Sequence, residues 1–327
     1  MTAQSRTYAI RGVFRISRGA KTRSDVIEVE IRDGGLAGRG ECVPYPRYGQ
    51  TLDGVLEQVR AAAPLVADGV SIAELQDELP AGPARNAIEC ALWDLQARQG
   101  GPRCSGLFVT DGSVRPLTTA FTISLDSAQA MAKAAASATA SGLPVLKLKL
   151  GGEGDIERVR AVRAAAPDAR LIADANESWT PGQLAEFTPV LAGVGLELIE
   201  QPLPAGDDRP LAGFASPVPL SADEACHDRS SLAALVGKYD YVTVKLDKTG
   251  GPTEAAALLA EARRLGFGVM VGCMVASSLS MAPGVLAAQR VPFVHLDGPL
   301  LLRQDRDPGL RYDGARVPAP AADVWAG

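Results

Sequence analysis

The first 110 residues carry β-like runs at Tyr8–Ile16, Val26–Ile31 and Gly38–Cys42, separated by segments rich in turn residues. Asp33-Gly34-Gly35 between the second and third runs is a hairpin signal, because glycine tolerates the positive φ of a tight turn. Apolar spacing then changes to the helical period at about 52–67, 71–78 and 83–99. In the last of these, Ala87, Ile88, Ala91, Leu92 and Leu95 form one stripe. Pro83 suits a first helical turn, and Gly100-Gly101-Pro102 stops the helix. Strands followed by helices predict an α+β unit.

From Pro116 onward, short apolar runs alternate regularly with Ala/Leu-rich helical stretches. Candidate strands centre near 119–123, 147, 172, 198, 221, 243, 271 and 294, at intervals of roughly 22–28 residues. Eight parallel strands with intervening helices predict a (β/α) barrel closed by a final strand; an open doubly wound sheet is the alternative. The expected division is an α+β cap over 1–112, a barrel over 113–300, and a segment over 301–327 that returns toward the cap. No Gly-x-Gly-x-x-Gly follows the first strand of either part. Gly151-Gly152-Glu153-Gly154 and Thr249-Gly250-Gly251 read as βα turns in preference to phosphate loops.

One polar series runs through the barrel half. Lys147 and Lys149, Asp174, Glu200, Asp223 and Lys245 lie at the ends of the runs Val145–Leu150, Leu171–Ala175, Leu196–Glu200, Leu220–Asp223 and Tyr241–Leu246. The steps from Lys149 are 25, 26, 23 and 22 residues, the length of a strand–helix unit. A lone charge at a strand end is ordinarily a cap or a solvated residue. A repeated series inside apolar runs is different, because charges there need partners. Lys147 and Lys149 alternate with apolar neighbours, so both point to one side of their strand. If the runs are adjacent parallel strands, three carboxylates and flanking lysines converge on the C-terminal face, where barrels carry their chemistry.

Composition narrows the classes. The chain has 327 residues, 46% of them hydrophobic, enough for one large and one smaller domain. A net charge of −5 with no basic stripe argues against nucleic acid. Cys42, Cys90, Cys104, Cys226 and Cys273 are odd in number and include no C-x-x-C pair, as expected of reduced thiols in a cytoplasmic protein. No run of 18 apolar residues suggests a membrane span, and no apolar leader is visible. A homo-oligomer is compatible with this composition.

Asp174, Glu200 and Asp223 offer only carboxylate oxygen, which suits Mg²⁺ or Mn²⁺ over zinc or copper. A substrate carboxylate on such a metal leaves its α-carbon between Lys149 and Lys245. Removing that proton creates a dianionic enediolate, so the metal and Lys147 are expected to supply electrostatic stabilisation. Those cations are expected to favour the neutral amine of Lys149 that a base requires. A base on either face permits racemisation or epimerisation.

At Lys147-Leu-Lys149, Asp174-Ala-Asn176, Glu200-Gln-Pro202, Ala222-Asp-Glu224 and Val244-Lys245-Leu-Asp-Lys-Thr-Gly-Gly251, the chain resembles the enolase superfamily, muconate-lactonizing subgroup. The resemblance spans nearly the whole chain. It implies a modified (β/α)7β TIM barrel beneath an N-terminal α+β capping domain. It also implies Asp174, Glu200 and Asp223 as Mg²⁺ ligands, Lys149 and Lys245 as the acid/base pair, and Lys147 beside the substrate carboxylate.

Within the subgroup the chain is most similar to the dipeptide epimerases, the proteobacterial L-Ala-D/L-Glu epimerases in particular. The residues that carry this are Gly40–Gly49, Pro80–Asn86, Asp174–Trp179 and Lys245–Gly251. The resemblance implies a small dipeptide as partner and proton transfer at its C-terminal α-carbon. Those relatives hold the substrate ammonium with Asp-x-Asp at the last strand. Here His295 replaces the first aspartate and Asp297 keeps the second. Two cap loops, near 17–24 and 43–50, are expected to close the site. Lys21 falls where relatives hold an Arg for the glutamate side chain, and lacks the bidentate fork. Arg18, Lys21 and Arg23 read equally as solvated loop charges, and His295 equally as a packing residue. Tyr45 and Tyr48 are expected to wall the pocket. N-acylamino-acid racemase, o-succinylbenzoate synthase and muconate cycloisomerase use the same framework and stay open, as does a non-enzymatic metal-binding barrel.

Overall fold

The computed structural model describes residues 1–110 and 112–327. A three-stranded antiparallel sheet comes first, formed by β1 (Thr2–Ile16), β2 (Gly19–Asp33) and β3 (Leu36–Cys42). Gly34 and Gly35 turn β2 into β3 with φ of 55 and 82, so the hairpin read from Asp33-Gly34-Gly35 is present. Four helices follow: α1 (Leu52–Ala61), α2 (Ala63–Ala67), α3 (Ile72–Glu78) and α4 (Pro83–Arg98). The strands extend beyond the β-like runs. β2 begins at Gly19, so the expected loop at 17–24 is a tight hairpin whose tip is Ser17-Arg18. Lys21 and Arg23 lie on a strand.

Glycine allows β3 to lie directly on α4. A Cβ at Gly38 or Gly40 would stand about 2 Å from the carbonyl oxygens of Ala91 and Ala87. Ile27, Val29 and Ile31 of β2 meet Ala87, Ile88, Ala91 and Leu95 of α4 in one buried cluster. This alternation in β2 is what a sheet with one covered face requires.

A short ribbon pairs β4 (Leu117–Thr118) with β13 (Arg316–Val317). The larger sheet has eight parallel strands in sequential order: β5 (Phe121–Ile123), β6 (Val145–Lys149), β7 (Arg170–Asp174), β8 (Leu196–Glu200), β9 (Leu220–Ala222), β10 (Tyr241–Val244), β11 (Gly268–Val271) and β12 (Phe293–Val294). Ala120 N donates to Val294 O at 2.7 Å and Leu296 N to Thr119 Oγ1 at 2.8 Å, joining the first strand to the last. Ala120, Val145, Ile172, Leu198, Met270 and Phe293 form a separate cluster contributed from around the ring. Such a plug of side chains is a barrel interior. An open sheet would not bring residues 120 and 294 together.

Helices α5 (Ala128–Ala140), α6 (Asp155–Ala165), α7 (Pro181–Gly193), α8 (Leu246–Thr249), α9 (Pro252–Arg264), α10 (Ser278–Ala287) and α11 (Gly298–Leu301) cover the strands. Two expected helical stretches are absent. The crossovers after β8 and β9 carry only 3₁₀ turns, Ala205–Asp207, Arg209–Leu211 and Arg229–Ala234. Pro202, Pro204, Pro210, Pro217 and Pro219 explain the first of these, since each removes a helical donor. The two glycine-rich turns read from sequence are turns. Gly151 N and Gly152 N donate to the Asp155 carboxylate, which fills that loop from within. Gly250 ends α8 at φ 78, and Gly251 lies so close to Glu89 of α4 that a Cβ would stand 2.2 Å away.

Beyond α11 the chain runs back along the first sheet and α4. Arg303 N donates to Ala9 O at 2.8 Å. Trp325 Nε1 donates to Arg39 O and Cys90 O, and Ala326 N to Asp94 Oδ1 at 2.7 Å. No described helix is long and apolar enough to cross a membrane.

A carboxylate and lysine site at the barrel rim

Lys149, Asp174 and Glu200 are the last residues of β6, β7 and β8. Asp223 and Lys245 directly follow β9 and β10. Parallel register sets these ends side by side: Lys149 pairs with Asp174, and Asp174 with Glu200. Five consecutive strands thus deliver Lys, Asp, Glu, Asp and Lys to one rim. β10 lies four strands from β6 in a ring of eight, so the two lysines face each other across the barrel.

The side chains meet as the register directs. Lys149 Nζ donates to Asp174 Oδ2 at 2.6 Å, and Lys245 Nζ to Asp223 Oδ2 at 2.6 Å. Lys147 points the same way as Lys149, as the alternation requires. Its Nζ pairs with Glu200 and lies 3.4 Å from Asp174 Oδ2. All these groups are buried. Burial opposes ionisation of Asp174 and Asp223, yet the lysines beside them hold both below the usual carboxylate range. Glu200 is pushed up, first by burial and then by the Asp174 charge, against the pull of Lys147. Burial opposes the charge on Lys147 and Lys245, but the carboxylates hold both above the ordinary lysine value.

The three carboxylates fit a hard cation. One oxygen from each of Asp174, Glu200 and Asp223 lies within 4.8 Å of the others. Glu200 Oε1 is buried without a hydrogen-bond partner, a costly arrangement that a coordinated cation relieves. No nitrogen or sulfur donor joins the cluster among the described residues.

The sequence reading missed Lys248. Its ammonium donates to Asp223 Oδ1 at 2.6 Å, Asp223 O at 2.5 Å and Thr243 O at 3.0 Å, and it is buried. Asp223 is therefore held by two lysines from the Lys245-Leu-Asp-Lys248 stretch. The signal was present, since a second lysine in an apolar segment needs a partner as much as the first. Asp247 was missed as well. It is buried, accepts from Asn86 Nδ2 at 2.9 Å and Val43 N at 3.2 Å, and ties the rim to the cap.

The cavity above the rim holds about 720 Å³, the size of a small-molecule site. Lys147, Lys149, Lys245, His295, Asp297 and Lys21 all line it. The three cations expected as solvated or substrate-facing loop charges separate. Arg23 is largely exposed beside Asp25, and Arg18 pairs with Glu177 and Glu224. Lys21 turns inward, with its ammonium 5.5 Å from the Phe14 ring centre. Burial first, and the Lys149 charge second among the lowering influences, bring its pKa down to about 8. Tyr45 lines the cavity. Tyr48 is set back, edge-on to Tyr45 and to His227.

His295 and Asp297 lie at the end of the last strand. His295 Nε2 stands 3.0 Å from Asp297 Oδ1 and 2.9 Å from Thr122 Oγ1, and Nδ1 stands 3.3 Å from Lys147 Nζ. Asp297 Oδ2 accepts from Thr122 N at 2.7 Å. Burial lowers the His295 pKa to about 4, so the ring is neutral near pH 7. Both ring nitrogens have protein partners, unlike an imidazole held ready for a substrate amine.

A sequential eight-stranded barrel beneath a three-stranded cap, with carboxylates and opposed lysines at its rim, defines the enolase class of protein. Residues 2–107 match the mandelate racemase / muconate lactonizing enzyme N-terminal domain, and residues 130–322 match the enolase C-terminal domain-like family. The chain belongs to this family of the enolase superfamily. It is 44% identical over 301 residues to the L-Ala-D/L-Glu epimerase of Escherichia coli K12, covering 91% of this chain and 93% of that one. It is 41% identical over 307 residues to the N-acetyl-D-glutamate racemase of a Pseudoalteromonas species, covering 92% and 95%. An Agrobacterium tumefaciens enolase family member with homology to dipeptide epimerases, solved with sodium and L-Ala-L-Glu, superposes with a TM-score of 0.96. That protein is 49% identical, covering 99% of this chain and 98% of its own.

Proposed function

We propose that the protein is a Mg²⁺-dependent epimerase that transfers the α-proton of a dipeptide's C-terminal residue, with L-Ala-D/L-Glu as the leading substrate. The observation that carries this reading is the opposition of Lys149 and Lys245 across the rim, each paired with a carboxylate at 2.6 Å. Two amines on opposite sides let one remove a proton while the other returns it to the other face. A dehydratase or cycloisomerase needs only one of them for chemistry.

Asp174, Glu200 and Asp223 would hold the metal, and Mn²⁺ satisfies the same oxygen donors. When bound, the cation neutralises charge on a substrate carboxylate. Lys147 adds a fixed positive charge beside that carboxylate as its α-carbon gives up a proton. Lys21, whose ammonium lies over the Phe14 ring in the cavity wall, is positioned to hold an acidic side chain. Asp297 binds the substrate ammonium with the lone pairs its two present partners leave free.

A second reading has its own support. His295 in place of a carboxylate leaves one negative group at the amino end, and Asp297 already engages both oxygens. A substrate with an acylated nitrogen would lose little there, and a racemase of N-acetylglutamate is among the similar proteins. A dipeptide library incubated in D₂O, with N-acetylated copies alongside and mass-spectrometric detection of α-deuteration, decides between them. Preferential exchange in free-amine dipeptides with an acidic C-terminal residue is expected. Preference for the acetylated compounds moves the assignment to an N-acylamino-acid racemase. Absence of exchange in every compound defeats both.

A further inference from the structure

Two separate segments of the cap meet the barrel at one carboxylate. Glu177 lies three residues beyond β7 and the rim residue Asp174, and its side chain is only 7% exposed. Glu177 Oε2 accepts from Arg47 Nε at 2.6 Å and Arg18 Nη1 at 3.0 Å. Glu177 Oε1 accepts from Arg47 Nη2 at 2.6 Å and Ala205 N at 2.9 Å. Arg47 therefore grips both oxygens in the planar fork that gives an arginine–carboxylate pair its directional strength.

Arg18 extends the junction. It donates to Asn176 O at 2.7 Å, Glu224 Oε1 at 2.6 Å and Tyr45 OH at 3.1 Å, and Ser17 Oγ donates to Asn176 O at 3.0 Å. Asn176 and Glu177 hold left-handed backbone at φ 45 and 68, a conformation non-glycine residues adopt against a steric penalty. The barrel thus strains two residues to aim one carbonyl and one carboxylate at the cap.

What these contacts hold in place is the cavity wall. Arg18 is at the β1–β2 hairpin tip, with Phe14 and Lys21 on its two strands. Arg47 lies in the 3₁₀ turn Pro46–Tyr48, next to Tyr45. Phe14, Lys21 and Tyr45 line the cavity, as do Arg18 and Arg47 themselves; Glu177 does not.

We propose that Glu177 is a positioning residue that clasps the hairpin tip and the 46–48 turn together onto the barrel. Its carboxylate sets Lys21 and Tyr45 over the bound substrate while touching no reacting atom. The proposal rests on the epimerase reading for its kinetic consequence, but not for its structural one.

Hydrogen–deuterium exchange on substrate-free enzyme addresses the clasp directly, in Glu177→Ala, Arg47→Met and the double variant. Exchange should rise by about tenfold in both 14–24 and 43–50 in Glu177→Ala, with the strands β6–β10 unchanged. For an acidic dipeptide, KM should rise by about tenfold while kcat stays within about threefold, because the loss falls on substrate retention. The double variant should be no worse than Glu177→Ala alone, since both changes remove one junction. Unchanged exchange in either segment, additive effects, or a fall in kcat at constant KM would overturn the proposal. If Glu177→Ala does not fold, Arg47→Met carries the exchange arm of the test from a partly exposed position, and Glu177→Gln, which keeps the side chain's shape without its charge, carries the kinetic arm. If no dipeptide is turned over even by the unaltered enzyme, the epimerase reading fails while the exchange result still decides the clasp.

Discussion

On the barrel side of the site, five adjacent strands each deliver one charged group at the same depth, and none of those groups is more than 8% exposed. On the cap side, the charges come from a hairpin tip and a 3₁₀ turn, and the side chains of Arg18 and Arg47 are 26% and 36% exposed. The floor takes its geometry from β-register, which fixes several residues at once and leaves little room for exchange. The wall takes its geometry from a few long side chains on short connections, which can be replaced singly. Chemistry is expected to reside in the first and choice of substrate in the second.

The largest expected effect tests the floor. Lys149→Ala and Lys245→Ala should each lower epimerisation by about 10³-fold or more, within the range lost when an acid/base group is removed. In D₂O, each variant should retain α-exchange in at most one enantiomer, read by proton NMR. Full epimerisation surviving either change would falsify the two-base scheme and leave the lysine opposite without a role.

Metal removal comes next. A chelator should abolish activity and Mg²⁺ should restore it. Glu200→Gln should weaken Mg²⁺ binding by at least about tenfold, since even outer partners of metal ligands are worth ten- to hundredfold. Calorimetric titration measures this without turnover. Wild-type affinity in Glu200→Gln would remove Glu200 from the ligand set.

The wall should respond differently. Lys21→Met should raise KM for a dipeptide ending in an acidic residue by about tenfold or more, the loss of a hydrogen bond to a charged group. An apolar C-terminal residue should show little change, and kcat should hold for both. In the free enzyme the Lys21 charge disappears as pH rises through about 8, because burial favours the neutral amine. KM for the acidic substrate should therefore climb above that pH in the native enzyme and stay flat in the variant. Equal KM changes for acidic and apolar substrates would erase the division between floor and wall.

The same division governed what the sequence disclosed. Strand spacing made Lys149, Asp174, Glu200, Asp223 and Lys245 readable, because a parallel barrel converts equal intervals into neighbouring positions. It also made the closed sheet readable, down to a last strand near 294. Lys248 escaped because it lies within α8, three residues past the strand-end position that the spacing marks, although it reaches the same Asp223. Glu177 and Arg47 escaped for a related reason, being 130 residues apart with no periodic pattern to connect them. The proline-rich crossover after β8 looked helical by spacing alone, although its prolines forbid a helix. His295 stayed open in the sequence between an amine contact and a packing residue, because its neighbours Thr122, Lys147 and Asp297 come from both ends of the barrel sequence.

The smallest effect concerns the seam where cap meets barrel. Glu41 on β3 is buried and accepts from Ser277 N at 2.8 Å and from Ser277 Oγ at 2.5 Å. Burial above all, with the nearby Glu28 charge, pushes its pKa up to about 8 against the pull of the Ser277 hydrogen bonds. An unfolded glutamate titrates near 4.3, roughly. Between those values the folded protein holds a proton that the unfolded chain has released, so stability falls as pH rises from about 4 to about 8. Below that window the seam keeps its full strength. Glu41→Gln mimics the protonated acid, offering an oxygen to Ser277 N and an amide donor to Ser277 Oγ. The variant should match the native protein in thermal melting near pH 4 and exceed it by a margin that grows as pH rises toward 8. Turnover should be unaffected, since Glu41 lies outside the cavity. A stability difference that does not grow with pH would mean that Glu41 is ionised in the fold and that another group neutralises it across the seam.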